Sequence, residues 1–477
     1  MGNRAVIVGG GIGGLAAAIG LRRIGWDVTV VERAPVLDDA GAGISLAANG
    51  LRALDALGVG AAVREASRGQ YSGGTRTPRG SWLARMDGAA LERAVGTPIM
   101  GIPRSTLHRL LRAALPAEAL LIGAEVESVT GPEIAAASAA TAAPAAGPRA
   151  APVSVPTVDP GTAPTGAPAS DPTDAPASDP TPNPTAAPTI APAADPNTAP
   201  VHRGGPGPGP GPRPGLGPGP GPGPGPAPLR VHCGDRILDA DLVVAADGIG
   251  SKLRGLLFPA HPGPVYSGST VLRALTERPV GLRTDFELTW GRGAEFGHIA
   301  FTDGRAEWHA VLDLPAGVRF PDPLAELRRR FRGWHEPIPA LLDATRPDAV
   351  LHHDVNELRT PLPSYAVGRI ALLGDAAHAM TPHLGQGACQ ALEDAVSLAA
   401  ALAAEPTVEA ALARYDAERR PRSQAVAAAA RQAGRMGQQL SHPLAVALRN
   451  TAMRLTPSRT AISMILRHHA WVPPRLD

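Results

Sequence analysis

The chain has 477 residues and weighs 48.8 kDa, room for about two or three domains at roughly 100–200 residues each. Its formal net charge of +2 gives no reason to expect nucleic acid or an anionic membrane as partner. Two cysteines, Cys233 and Cys389, make neither a disulfide framework nor a zinc site, so no metal is expected and a cytoplasmic, reducing compartment is.

The N-terminus passes from Met-Gly-Asn-Arg straight into an apolar strand, so neither a signal peptide nor myristoylation is expected. No run approaches the ~18 apolar residues of a membrane span. Residues 4–34 read as strand, tight Gly turn, helix and strand, with Ala5 to Val8 and Val28 to Val31 as short buried runs. Residues 50–57 and 104–115 read as helices, and 119–129 as a strand. Residues 131–229 hold 28 of the 52 prolines and no Phe, Tyr or Trp. Such a block cannot bury apolar area and is expected to be a disordered, partly extended linker. Strand-like sequence on both sides, AEVESVT and LRVHCGDRILDADLVVAADG, marks it as an insertion into a hairpin loop.

Residues 265–314 alternate like antiparallel strands. Asp303-Gly304 is a good two-residue hairpin turn, which places Thr302 opposite Arg305 and His298 opposite His309. His298 and His309 would then share one sheet face. Helices are expected over 322–345, strands over 349–358 and 369–374, and helices from Gly387 to Ala433, punctuated by Pro406 and Pro421. The tail, 442–468, also reads as helix. The class is α/β.

Three motifs carry chemistry. In Gly9-x-Gly11-x-x-Gly14, Gly9 turns the chain off the strand, Gly11 admits a pyrophosphate and Gly14 lets the helix pack on the strand. Glu32 ends the second strand 18 residues after Gly14, close to the roughly 20 expected of a carboxylate on ribose hydroxyls. The second motif, Ala246-Asp247-Gly248, follows the strand at 241–245. The third runs from Gly374-Asp375-Ala376-Ala377-His378 through Pro382 to Gly385-Gln386-Gly387-Ala388-Cys389-Gln390. A carboxylate at a strand end suits a sugar-like hydroxyl chain, and a Gly-rich helix start offers N–H groups to phosphate or to an electron-rich ring edge.

Together these motifs resemble the FAD-dependent aromatic hydroxylases, the single-component flavoprotein monooxygenases typified by p-hydroxybenzoate and salicylate hydroxylase. The resemblance spans roughly 3–129 and 230–430, and GDAAHAMTPHLGQGACQALEDA is closest to the subgroup with urate hydroxylase and zeaxanthin epoxidase. It implies a Rossmann-like, three-layer FAD-binding domain with an inserted antiparallel-sheet substrate domain and C-terminal helices. The FAD-binding domain would take 1–129, 230–262 and 361–404, the insertion 130–229, the substrate domain 263–360 and the C-terminal helices 405–477.

By the same resemblance Gly9, Gly11 and Gly14 hold the FAD pyrophosphate and Glu32 the adenosine ribose. Arg33 and Ser45 lie near the adenosine and pyrophosphate, and Val126 makes a backbone contact to adenine. Arg104 either caps its helix or reaches the ribityl chain and phosphate. Asp247 belongs to the motif linked to FAD and NAD(P)H, and Asp375 to the ribityl and pyrophosphate. Gly385, Gly387 and Ala388 line the flavin ring, with Pro382 at its substrate edge. His383 is the candidate to face substrate, and Tyr266 and Arg273 match a Y-x-G-x-x-x-x-R segment that touches substrate or flavin. His378 and Cys389 read as structural.

The implied reaction is monooxygenation: NADH or NADPH, bound transiently, reduces FAD, and a flavin C4a-hydroperoxide hydroxylates a small aromatic or heteroaromatic ring with O₂ as oxidant. Epoxidation of a polyene, tailoring of a larger natural product and a non-catalytic flavin-binding scaffold are the rivals. Flavin halogenases are disfavoured because they use an early lysine, whereas the only lysine is Lys252.

Overall fold

The computed structural model describes residues 3–37, 42–132, 134 and 227–476. A six-stranded sheet runs in the order Ala366–Val367, Ile370–Leu372, Leu242–Ala245, Arg4–Val8, Asp27–Glu32, Leu120–Ile122. All neighbours are parallel except the first pair. These strands are short apolar runs because helices or further strands cover both faces, and Ile7, Val30 and Val243 are at most 1% exposed. Burying one such side chain stabilises the fold by roughly 1.5–3 kcal/mol, so this core outweighs any single surface contact. The crossover helix Ile12–Arg23 lies close against Gly387–Ala404: a Cβ on Gly20 would come 3.1 Å from that of Ala399. Small residues on both helices permit that approach.

A seven-stranded sheet has the order Leu351–Glu357, Val265–Leu275, Ala306–Asp313, Ala294–Ala300, Phe286–Trp290, Ser72–Arg76, Trp82–Asp87. One face packs on the helices Pro323–Arg330 and Ile338–Asp343. There Phe296 stacks on Trp308 with ring centroids 5.5 Å apart and meets Phe331 edge-on at 5.1 Å. The Trp308 indole N–H donates to Thr345 Oγ1 at 2.7 Å, which satisfies the buried polar end of the ring.

Three expectations change. The Asp303-Gly304 connection is a three-residue loop, with Phe301 N–H bonded to Arg305 O and Gly304 at φ +80°. A type I turn closed by a left-handed glycine has this form. The register therefore shifts by one: His298 pairs with Trp308 and Gly297 with His309. A one-residue slip moves a side chain to the other face, so His298 and His309 lie on opposite faces. Residues 119–129 are not one strand but two, Leu120–Ile122 and Ser128–Thr130, separated after Gly123 at φ +72°. Pro406 breaks the C-terminal helical region, but Pro421 lies inside one helix, Val408–Met436.

Ser128–Thr130 and Leu229–Cys233 pair antiparallel, with Thr130 opposite Arg230. They are the two sides of a hairpin. Apart from its ends, the Pro- and Gly-rich block expected to be disordered lies outside the described residues. The tail forms helices Pro443–Leu455 and Ser458–His469. Arg52 ties down the end of the second by donating to the carbonyls of His469, its last residue, and Trp471. Among the described residues no helix is long and apolar enough to cross a membrane.

Candidate active site

The turn after Arg4–Val8 is built by three glycines with different requirements. Gly9 has φ +109°, and a Cβ there would lie 2.3 Å from Ala246 O. A Cβ on Gly14 would lie 1.9 Å from Gly9 O. Gly11 is ordinary in backbone conformation, at φ −73°, and a Cβ there would meet no protein atom within 4 Å. The fold demands Gly9 and Gly14; the open space at Gly11 is a cradle that a side chain would fill. It stands at the N-terminus of Ile12–Arg23, whose N–H groups and dipole favour a phosphate.

A cleft of about 280 Å³ opens beside this turn, and Gly9, Gly11, Glu32, Arg33, Val126 and Asp247 all line it. Glu32 accepts the N–H of Gly10 at 2.7 Å and that of Ala34 at 2.8 Å, so its carboxylate is fixed at the cleft wall. Asp247 Oδ2 accepts the Lys252 N–H at 2.9 Å, whereas its buried Oδ1 has no protein partner. A buried acceptor without a donor is costly unless a ligand supplies one. Sequence reasoning missed Lys252 as a lining residue, although its being the sole lysine was a signal. It also missed His108, whose Nε2 lies 2.7 Å from Gly10 O and fastens the helix Arg104–Ala113 to the glycine turn.

That helix starts where Gly43–Leu46 pairs antiparallel with Ile99–Pro103, neither strand foreseen. The Arg104 N–H donates to Ala42 O at 3.1 Å, and Ser45 Cβ lies 4.0 Å from the position of a Cβ on Gly385. Ser45, Arg104 and the Gly385–Ala388 turn are thereby brought to one region. Asp375 is exposed at the start of the short helix Asp375–His378, and Pro382 is exposed at the start of Pro382–Leu384. Behind them lies a buried polar network. Asp394 accepts from Gly374 N–H at 3.0 Å, from His378 and from Arg419. Asn49 donates to Gln386 Oε1 at 2.8 Å and Glu393 Oε1 at 2.6 Å. Cys389 is fully buried against Gly50, and burial pushes its thiol up to about 12, which makes it inert.

The second face of the seven-stranded sheet carries a polar cluster among apolar side chains that include Leu288, Ile299 and Val311. Pairing puts Arg273 beside His309 and His309 beside Gly297, with Glu295 and Glu307 flanking on the same side. A Cβ on Gly43 would lie 2.7 Å from Glu307 Cβ, so this face meets the strand that carries Ser45. Tyr266 and Arg273 are separated. The Tyr266 hydroxyl bonds to Leu314 O at 2.7 Å and lies near Thr270, while Arg273, an odd number of residues along the strand, is on the His309 side. His383 packs on Gly434, where a Cβ would come 2.5 Å from its ring, and its Nε2 lies 3.1 Å from Gln438 Nε2. Burial holds it below the ordinary histidine value.

The model of the family described as "FAD binding domain" matches residues 3–140 and 227–430. The aurachin C monooxygenase/isomerase of Stigmatella aurantiaca is 31% identical over 98% of both chains. The 6-hydroxynicotinate 3-monooxygenase of Bordetella bronchiseptica is 26% identical over 83% of this chain and 81% of its own. Among solved structures, Klebsiella pneumoniae HpxO complexed with FAD and uric acid superposes with a TM-score of 0.73, covering 99% of this chain and 97% of that one at 22% identity.

Proposed function

This chain belongs to the FAD binding domain family and is an FAD-dependent monooxygenase of the aromatic hydroxylase type, and on that premise we propose that it hydroxylates a small aromatic or heteroaromatic ring using NADH or NADPH and O₂. The observation that carries the substrate class is the polar cluster of Arg273, His309, Glu295 and Glu307 on the sheet face set against the strand of Ser45. Such a floor offers hydrogen bonds to ring substituents beside the apolar side chains of Leu288 and Ile299, the mixture that a small ring with polar substituents needs. Tailoring of a larger natural product is the second reading, favoured by the full-length likeness to a protein named for aurachin C.

The cleft fits FAD. Gly11 leaves space for a pyrophosphate, Glu32 presents a fixed carboxylate for ribose hydroxyls, and Asp247 Oδ1 has an acceptor to spare. Arg33 and Val126 flank the adenosine end; Ser45, Arg104, Asp375, Gly385, Gly387 and Ala388 would hold the rest. Bound FAD supplies the redox and oxygen-activating chemistry. The chain holds the ring substrate over the sheet face, keeps bulk water from the reacting atoms and manages the substrate proton. Asp394 and Glu393, anchored by Arg419, keep the loops at Gly374 and Gln386 in place. Overall, ring, O₂, NAD(P)H and a proton give hydroxylated ring, water and NAD(P)⁺.

The test is NADH and NADPH oxidation by the FAD-loaded protein against aromatic acids, phenols, heteroaromatics, purines and polyenes, with peroxide release followed in parallel. A substrate raises the oxidation rate and suppresses peroxide. Stimulation by polyenes alone would reverse the reading.

A further inference from the structure

The helix Pro443–Leu455 presents its leucines to solvent and an arginine to the protein. Leu444, Leu448 and Leu455, all the leucines it has, are 76%, 73% and 76% exposed. At about 100° per residue, these three and the exposed Thr451 fall within an arc of about 60°. On the inward side Arg449 is buried. It donates to the carbonyls of Met436 at 3.0 Å and Gly437 at 2.6 Å, and its guanidinium stands 5.2 Å from the centre of the Trp290 ring. Single exposed leucines need no explanation, but three in one stripe make an apolar surface that nothing among the described residues covers.

The charge in this part of the chain is one-sided. The whole sequence has 45 Lys and Arg against 43 Asp and Glu, yet residues 419–476 hold ten arginines and no Asp or Glu. Arg419, Arg420, Arg422 and Arg431 reach back to carboxylates of Glu393, Asp394, Asp416 and Glu357. Arg435 near the end of the preceding helix, Arg454 on this one and Arg467 on the next are exposed, with no carboxylate partner among the described residues. A near-neutral total therefore hides a basic C-terminal part.

We propose that this helix is a docking face for an anionic lipid surface, with Leu444, Leu448 and Leu455 entering the boundary between headgroups and acyl chains and the unpaired arginines drawn to lipid phosphates. Size and charge both favour that occupant. A 13-residue helix is about 20 Å long and about 10 Å wide, so its outer face offers on the order of 200 Å², far below the ~800 Å² per partner of a stable protein interface. A second copy of the chain would also set arginine against arginine. A bilayer accepts a small apolar stripe and rewards the positive charge beside it. No helix among the described residues is long and apolar enough to cross a membrane, so the attachment is peripheral, reversible and weakened by salt.

The test follows FAD-loaded full-length protein in vesicle flotation. Wild type is expected to bind vesicles of phosphatidylcholine with about 30% phosphatidylglycerol at least about tenfold more tightly than pure phosphatidylcholine, and to lose most of that preference in about 0.5 M salt. L444Q/L448Q/L455Q should keep FAD and melting temperature, because nothing in the protein packs on these side chains, and should lose binding to both vesicles. R435Q/R454Q leaves the stripe intact and should lower affinity for the anionic vesicles by about tenfold while leaving the weak binding to pure phosphatidylcholine. No binding by wild type, equal binding of the two vesicles, or equal binding by wild type and the leucine variant overturns the proposal. So does a lower melting temperature in the leucine variant, which would mean that the stripe is covered within the protein. A lipid-free dimer that the leucine variant abolishes would overturn it in favour of a contact between copies. Flotation is read without turnover, so its outcome is separate from that of the hydroxylase assay.

Discussion

Arg419 Nε donates to Asp394 Oδ1 at 2.8 Å, and neither side chain is more than 1% exposed. Asp394 also takes the Gly374 N–H, so this ion pair fixes the turn that starts at Asp375. Breaking a buried pair from one side strands the other charge and costs about 3–5 kcal/mol. R419M is expected to lose that much in chemical denaturation and to bind FAD more weakly. Burial pushes the Asp394 carboxyl up, but His378 and Arg419 outweigh it and hold it at about 2. A depressed folded-state pKa contributes stability above the unfolded value and loses it as pH falls through the folded one. Wild-type stability should therefore decline between about pH 5 and pH 2, and D394N should flatten that part of the profile.

Two glycines three residues apart should fail differently. G14A drives a Cβ to 1.9 Å from Gly9 O and should destabilise the protein with or without FAD, seen as a lower apoprotein Tm. G11A meets no protein atom, so apoprotein Tm should hold. FAD affinity, read by fluorescence titration, should fall by about tenfold or more because the methyl group occupies pyrophosphate space. Equal loss of apoprotein stability in both would show that Gly11 serves the fold.

G297A should destabilise the seven-stranded sheet. The added methyl would lie 2.4 Å from His309 Nε2 and 2.7 Å from Leu288 Cδ2, so both side chains must shift. Overpacking of this kind costs about 1–3 kcal/mol, which would be read as a lower Tm with and without FAD. An unchanged Tm would show that the His309 ring moves aside freely.

Because Thr130 and Arg230 are paired across the hairpin, the block between them can be replaced by a short turn without breaking a ladder bond. Loop closure entropy changes slowly with length, so shortening should not destabilise the hairpin. A variant with residues 133–226 replaced by Asn-Gly is expected to retain FAD and NAD(P)H oxidation. Loss of FAD would mean that the block contributes to the cofactor site.

Much of the nucleotide end was legible because its requirements are local. A glycine with no room for Cβ, a strand of valines and a carboxylate at the strand end sit within thirty or so residues. Less of the substrate end was legible. Tyr266 and Arg273 are near in sequence, but side chains alternate along a strand, so Arg273 faces His309 while the Tyr266 hydroxyl stays beside Thr270. Glu295 and Glu307 carried no local signal, and Gly297 was the only hint, a glycine where a strand gains nothing from one.

The sequence by itself determined the α/β class, the glycine turn after the first strand, the hairpin split by the Pro- and Gly-rich block and the family, since each shows in short runs of residues that carry their own pattern. Tertiary structure decided which groups meet. Asn49 and Glu393 are hydrogen-bonded across 344 positions, and Glu307 reaches the strand of Ser45 only because two sheets face each other there. Whether His298 shares a face with His309 turned on one residue of loop length at Gly304, because side-chain direction in a strand alternates with every step.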